Sequence, residues 1–419
     1  MEEKSQKVKR LTLGNDIVAA LDIGTSKICC AIGKKEPDKG IRILGIGYQL
    51  SKGFRSGMIT NMEALENAIL NAVSHAEQMA GITISEIYLN LSGKHITSEL
   101  IEVDYALSPE GVTDEVLKAI YDLGWTGYQI PNKDIIYAQP ISYEVDDQRN
   151  ISDPKGMFGS RLKARIHIIS GLSNVLRNLV VCVNRCQLDI TGVSFSGHAS
   201  GDAVLISDEK ELGALVVDLG GGGTSISYFE GDRLVWADSV SIGSHHITND
   251  IAHVLLTPVA QAERLKTLYG SAIVSKSDEK EAITVPQVSE NDIASIQIPR
   301  SVLVNIIQPR LEEIFEGIRE KVISSGFSKA LHQRIILTGG GSQLPSIRDL
   351  CMQKLGKNVR LGRPIDILGL SETSNGPAFA TCAGLLKQGL TLTEKTPNYL
   401  FSDSASLWGK LKNMFRKNT

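Results

Sequence analysis

Apolar runs separated by turn residues and polar helix faces divide the chain into a long series of strand and helix signals. Ile17-Val18-Ala19-Ala20-Leu21 runs into Asp22, and Ile23-Gly24-Thr25-Ser26-Lys27 then gives way to a second apolar stretch from Ile28. The same order returns at Leu215-Val216-Val217-Asp218-Leu219, with Gly220-Gly221-Gly222-Gly223-Thr224-Ser225 as the turn and Ile226 beyond it. Both read as β-hairpins, the second with almost no side chains in its turn. After the first come a strand over 41–47, a helix capped by Asn61 that runs to about residue 80, and a strand over 84–91. Leu65, Ile69, Ala72, Val73 and Ala76 fall on one face of that helix. From about 92 to 170 the texture changes to alternating strands at 96–105 and 135–143, a capped helix over 113–123, an Asp-, Pro- and Gly-rich loop at 146–159 and a closing strand at 162–169. A helix over 174–185, a strand over 188–195 and a small-residue helix over 196–204 follow.

Beyond the second hairpin the pattern predicts a strand over 233–242, helices over 245–255 and 258–268, and a polar β-rich stretch over 271–298. A long helix over 302–324 is expected to be interrupted near Pro309. A buried strand then ends at Thr338, and Gly339-Gly340-Gly341-Ser342 turns into a helix over 344–355 with Pro345 in its first turn. A last helix over 378–387 is expected to cross between two halves. The class is α/β, with mixed sheets and helices outside.

The chemistry lies in the turns. A glycine turn brings backbone N–H groups close to an anion, because nothing at Cβ keeps the ligand away. An acid at the end of the preceding strand then reaches a metal ion held by that anion, through water, as Mg²⁺ prefers. One such hairpin is equally compatible with a turn that binds nothing. Two suggest related half-domains gripping one polyphosphate, with Asp22 and Asp218 on the metal and the amides around Gly24–Ser26 and Gly221–Thr224 on the phosphates. The glycines of the third turn would let a flat base lie against the backbone.

Composition removes several alternatives. The chain has 419 residues, 42% hydrophobic and 22% charged, as expected of a globular protein of two domains or one bilobed body. A formal charge of −3 gives no global attraction to nucleic acid. No apolar run approaches the ~18 residues needed to span a bilayer, and the polar opening has no signal-peptide core. Cys182 and Cys186 lie four apart on a helix, yet no second pair accompanies them, so all six cysteines read as buried thiols. His198 is a candidate general base or, more simply, a packed side chain. His245 and His246 read as a structural or surface pair.

The three turns, in this order, resemble the phosphate-1, phosphate-2 and adenosine motifs of the actin, sugar-kinase and heat-shock-chaperone ATPase superfamily. That resemblance implies ATP with Mg²⁺, bound through Asp22, Gly24, Thr25, Ser26 and Lys27, through Asp218, Gly220 to Gly223 and Thr224, and through Gly339, Gly340, Gly341 and Ser342. Glu263 and Lys266 share a helix face; they are either a solvated ion pair or, as the superfamily implies, contacts to ribose and base.

Within the superfamily the chain resembles the FtsA family of bacterial cell-division proteins from about 16 to 386. The likeness rests on 20–27, on Lys52-Gly53-Phe54-Arg55-Ser56-Gly57, on 211–218, on 336–344 and on Val359-Arg360-Leu361-Gly362. The fourth glycine of the second turn stands where many relatives have Thr, removing a hydroxyl able to meet phosphate. The family implies an actin-like bilobed fold with two duplicated mixed-sheet lobes around a nucleotide cleft. Its parts would be a flexible tail over 1–15, a first core (1A) over 16–91 and 171–208, and an inserted 1C subdomain over 92–170. A second core (2A) over 209–243 and 309–387, an outer subdomain (2B) over 244–308, a linker over 388–403 and a terminal helix over 404–419 would complete it.

It also implies self-association into filaments, binding of the FtsZ C-terminal tail by 2B with Arg300 as a contact or a plain surface charge, and recruitment of other division proteins through 1C. A related adaptor of pilus assembly, or a small-molecule kinase, are the alternatives. A kinase needs a carboxylate base that the sequence does not reveal, so at most weak ATPase activity is expected.

The tail has its own pattern. Wound as a helix, Leu407, Trp408, Leu411, Met414 and Phe415 form one apolar face, with Lys410, Lys412, Arg416 and Lys417 beside it and no acid after Asp403. Such a segment either docks on its own protein or lies on an anionic membrane surface, where rings bury and cations meet lipid headgroups. The second reading, which the family shares, places the protein peripherally on the cytoplasmic side of the cell membrane at the division site.

Overall fold

The first hairpin forms as its sequence requires. In the computed structural model, which describes residues 16–37, 40–288, 295–356, 358–369 and 376–395, β1 (Ile17–Ile23) pairs with β2 (Lys27–Glu36), and β3 (Gly40–Leu50) adds to it in antiparallel sense. A minute hairpin of β4 (Phe54–Arg55) and β5 (Met58–Ile59) follows, which periodicity alone does not reveal. Helix α1 (Met62–Ala80) starts where the Asn61 side chain accepts a hydrogen bond from Ala64 N, and it stops at Gly81 with φ +68°. It buries the predicted face, and β6 (Glu86–Leu91) returns parallel to β1.

An antiparallel unit interrupts the lobe here. Strand β7 (Thr97–Ala106), helix α2 (Asp114–Thr126), β8 (Lys133–Val145), β9 (Gln148–Ile151) and β10 (Arg161–Leu172) make a sheet ordered β7-β10-β8-β9 with its own core around Ile120, Leu162 and Ile166. Then α3 (Ser173–Arg185), β11 (Asp189–Phe195), α4 (Ser196–Val204) and the short α5 (Ser207–Leu212) complete the lobe.

The second lobe contains β12 (Ala214–Leu219), β13 (Thr224–Glu230), β14 (Arg233–Val240), α6 (Ser244–Val254) and α7 (Val259–Tyr269). The hairpin β15 (Ala282–Pro286) and β16 (Ser295–Pro299) leads into α8 (Arg300–Ser324), and then come β17 (Arg334–Thr338), α9 (Ile347–Lys354) and β18 (Val359–Leu361). Strand β19 (Ile367–Leu368) returns to pair with β3, and α10 (Ala380–Lys395) closes the described chain. The two large sheets run β3-β2-β1-β6-β11 and β14-β13-β12-β17-β18 with the same sequence of antiparallel and parallel neighbours. The lobes are duplicates of one topology, as expected.

Three local expectations change. Helix α8 runs without interruption through Pro309. A proline there removes one N–H bond, at roughly 3 kcal/mol in an isolated helix. Leu303 and Ile307 before it and Leu311, Ile314 and Phe315 after it share one core, which keeps the helix continuous across the defect. Pro345 precedes α9, with Ser346 between them at φ +61°, because Gly340–Gln343 first makes a 3-10 turn. Helix α10 continues to Lys395, so the stretch expected as a linker from 388 begins inside a helix. Residues 396–419, including the amphipathic segment, and the tail 1–15 lie outside the described residues.

Helices α4 and α10 cross between the lobes. At Gly384 a Cβ would stand 1.7 Å from Ala199 O, so only glycine permits the crossing. The inserted sheet is fastened to the second lobe too. Ala237 N donates to Ser98 Oγ (3.1 Å), Ser98 Oγ lies 2.7 Å from His167 Nε2, and His167 Nδ1 donates to Leu234 O (2.8 Å). Arg233 donates to Ile141 O and Ser152 O. The first set satisfies two backbone groups of β14, Ala237 N and Leu234 O.

Burial of His167 in that relay pushes its pKa down to about 3, and burial pushes His95 down to about 4, from 6.5. The unfolded chain therefore binds more protons below pH 6.5, and stability falls with pH from there until the folded-state values are reached. Urea midpoints should drop on going from pH 7 to pH 5, with roughly 2 kcal/mol per histidine, and His167→Gln should flatten the slope. Asp22, held near 7 by burial, opposes this over the same range, so the relay is read from the difference between the two proteins, and a slope unchanged in His167→Gln would refute it.

Candidate functional site

The duplicated strands β1 and β12 deliver Asp22 and Asp218 to one cleft between the lobes. Its cavity of about 350 Å³ is lined by Asp22, Gly24, Thr25, Ser26, Lys27, Asp218, Gly220 to Gly223, Thr224, Gly339 and Gly340, all singled out by sequence. Asp22 Oδ1 accepts from Asn90 Nδ2 (2.8 Å), and Asn90 Oδ1 accepts from Ile23 N (2.7 Å), which fixes the carboxylate at the end of its strand. Asp218 Oδ2 accepts from Thr381 Oγ1 of α10 (3.1 Å). Both acids are 8% exposed. Burial drives the Asp22 pKa up to about 7, with Lys27 opposing and Asp218 adding to the rise; burial also raises Asp218. Two buried carboxyl groups with so little counter-charge suit a divalent cation reached directly or through water. The Lys27 ammonium is buried with no hydrogen-bond partner and lies 3.2 Å from the centroid of the Phe379 ring, so it is poised for an anion.

The glycines of the second turn have a reason the sequence hides. A Cβ on Gly221 would stand 2.0 Å from Ser26 Oγ, and one on Gly222 would stand 2.3 Å from Thr25 Oγ1. It is the facing hairpin, not only a ligand, that needs the missing side chains. The carbonyls of Gly220 and Gly221 accept from Ser244 N and His245 N at the start of α6. Thr224 is buried, and its hydroxyl donates to Ile242 O (2.8 Å), so it does not replace the phosphate-facing hydroxyl that the fourth glycine removes.

Other expected residues fall around the cavity and not on it. Gly341 packs against Leu219 and Ser244, and Ser342 is buried with its hydroxyl on Gly339 O (2.8 Å). Glu263 and Lys266 pair at 2.7 Å; Lys266 is buried and also donates to Thr248 Oγ1 and to the carbonyl of Ser244, a cavity residue. Despite burial, the Lys266 charge and its hydrogen bond hold the Glu263 carboxyl below its usual range. Arg300, expected to face an acidic peptide, donates to Tyr269 O, Asp278 Oδ1 and Glu281 Oε2 within its own subunit. Asp278 and Glu281 thus share its charge within the chain. His198 lines a separate cavity beside Asp202 (3.3 Å) and is not in the cleft. All six cysteines are buried and free, and no metal-ligating cluster occurs among the described residues.

Sequence reasoning missed Asn90, Thr381, Ser56, Gly57, Ser92, Gly93, Lys94 and Ser239 as cavity residues. Asn90 was within reach: it is the one amide in the apolar run Ile87-Tyr88-Leu89-Asn90-Leu91. Ser56 and Gly57 lie in the 52–57 stretch that carries the family likeness, though nothing in it points to the cleft, and the others come from distant elements with no local signal.

Two duplicated sheets around a cleft with paired acids define an actin-like protein. The same fold occurs in the PilM–PilN type IV pilus biogenesis complex (TM-score 0.65, 17% identity, 89% of this chain and 98% of that one) and in MreB5 of Spiroplasma citri bound to ADP (0.54, 12%, 90% and 98%). A third example is the MamK double helical filament (0.50, 13%, 91% and 99%). Residues 215–384 match the family model for cell division protein FtsA, and 93–170 match the SHS2 domain inserted in FtsA. The chain is 38% identical over 383 residues to cell division protein FtsA of Rhizobium meliloti (88% of this chain, 86% of that one) and 32% identical over 380 residues to that of Escherichia coli K12 (89% and 90%). It belongs to the FtsA family of cell division proteins.

Buried and poorly compensated, the Asp22 charge destabilises the free protein. Asp22→Asn keeps the acceptor for Asn90 and removes that charge. In metal-free buffer at pH 8 it should raise the unfolding free energy by up to about 4 kcal/mol. Equal or lower stability of the variant in urea titrations would show that the charge carries no cost.

Proposed function

We propose that the cleft binds ATP with Mg²⁺ and that nucleotide controls self-assembly of this division protein on the cytoplasmic face of the cell membrane, where it tethers FtsZ filaments and helps recruit later division proteins. The observation that carries the nucleotide reading is the meeting of Asp22 and Asp218 across two turns so close that Gly221 and Gly222 have no room for a Cβ. Asp22 and Asp218 hold the metal through water; the amides of both turns and the Lys27 ammonium hold the phosphates. Gly340, whose Cβ would meet only Ala378 at 3.8 Å, leaves space for the base. The ADP in MreB5 and the filament of MamK, on the same fold, support nucleotide binding and assembly.

The parts divide accordingly. The inserted unit over 92–170 serves as the docking piece for division partners, and the outer piece over 244–308 takes the FtsZ tail. Arg300 is its proposed contact, and exposed Val254, Leu256 and Val288 supply an apolar surface on the same piece, with Val288 N on Leu256 O (2.8 Å). No helix among the described residues is long and apolar enough to cross a membrane. Residues 404–419 provide the peripheral tether, with four cations at ~1 kcal/mol each near an anionic surface adding to burial of Trp408 and Phe415.

Calorimetry should find Mg·ATP binding to the parent and at least tenfold weaker binding to Gly340→Trp; equal affinities would remove the base from that turn. In flotation with anionic vesicles the full chain should rise with the lipid. Deletion of 404–419, or Trp408→Glu with Phe415→Glu, should leave the protein at the bottom of the gradient. Continued flotation would place the tether elsewhere.

A further inference from the structure

The two phosphate turns meet face to face, yet neither hydrogen-bonds the other directly through its side chains. Instead the link is made by the turn between β4 and β5. Ser56 N donates to Thr25 Oγ1 of the first turn (2.9 Å), and Ser56 Oγ donates to Gly222 O of the second (3.3 Å). A Cβ on Gly222 would lie 3.0 Å from Ser56 Cα, so the contact is tight. Ser56 holds φ +49°, a left-handed conformation that a serine adopts at some cost, and it is flanked by Gly57 at φ +84°. Gly57 rests on Ser92, Gly93 and His95, where the inserted unit begins. On that side a second hydroxyl crosses between the lobes: Ser239 Oγ of β14 donates to Gly93 O (3.1 Å). Ser56, Gly57, Ser92, Gly93 and Ser239 all line the cleft.

We infer that Ser56 and Ser239 are a pair of hydroxyl latches that close the phosphate end of the cleft and set the rate at which nucleotide leaves; this rests on the cleft being a nucleotide site. Each latch belongs to one lobe and grips a backbone carbonyl of the other, Gly222 O from the first lobe and Gly93 O at the root of the insert from the second. Opening the lobes breaks both. Both hydroxyls are spent on carbonyls and neither is among the groups assigned to metal or phosphate, so they act as positioning residues: loss of a latch speeds escape and leaves Asp22, Asp218, Lys27 and the turn amides in place. Left-handed strain at Ser56 fits this role, because the turn is held in place by its two partners and relaxes when they part.

The test is stopped-flow release of a fluorescent ATP analogue with Mg²⁺ from the full chain, for the parent, Ser56→Gly, Ser239→Ala and the double variant. Ser56→Gly removes the hydroxyl and suits the positive φ, so the nucleotide-free protein should unfold at an unchanged or higher temperature. Release should speed up about two- to tenfold for each single variant, the range of one hydrogen bond, and more for the double, with association rates unchanged. Unchanged release in all three variants, with the parent binding normally, overturns the latches alone. No binding by the parent overturns the nucleotide reading and the latches with it. Slower association with unchanged release would make the serines part of an entrance and refute the inference.

Discussion

The crossing of α4 and α10 is the constraint on which the cleft depends. With Gly384 against the Ala199 carbonyl, the helices approach as closely as backbones allow. Helix α10 lies against β1 and β2, while α4 reaches β12 and β13. Ser227 Oγ of β13 donates to Gly197 O of α4 (2.6 Å), and Thr381 of α10 holds Asp218 of β12. The spacing of the sheets, and so of their two acids, follows from that contact. A bulkier residue at the crossing would part the lobes before it touched any ligand-facing group.

What this spacing brings together is electrostatically unfavourable. Asp22 and Asp218 lose hydration, and Lys27 is turned to the Phe379 ring with no hydrogen-bonding partner. Asn90 and Thr381 orient the acids but do not neutralise them. Unsatisfied charge of this kind is retained where a ligand completes the site. The charged pairs outside it are matched: Lys266 and Arg300 each meet three acceptors within the chain. The contrast separates the cleft from the structural ion pairs better than the residue types do.

The inserted unit interrupts one lobe but is bonded to both. It follows β6 in the chain and leans on the edge of β14, where it satisfies Ala237 N and Leu234 O through Ser98 and His167. An edge strand left bare is a site of unwanted pairing, so the insert protects the second lobe as well as extending the first. Because β14 leads from the second phosphate hairpin, the insert is mechanically continuous with the cleft.

Much of this was written in local sequence. Apolar runs ending in Asp22 and Asp218, the Asn61 cap with Gly81, and the change of texture near residue 92 determined the hairpins, the first long helix and the insert, since each depends on interactions within a few residues. Recurrence of the hairpin pattern determined the duplication. Tertiary structure alone decided the rest. Pro309 is overridden because buried side chains on both sides of it outweigh one lost hydrogen bond. Arg300 shares its charge with Asp278 and Glu281, neither of them its neighbour along α8. The glycines of the second turn answer to Thr25 and Ser26, almost two hundred residues earlier. A sequence states which residues can make a turn or a charge; which side chain fills the space opposite is fixed only when distant segments pack.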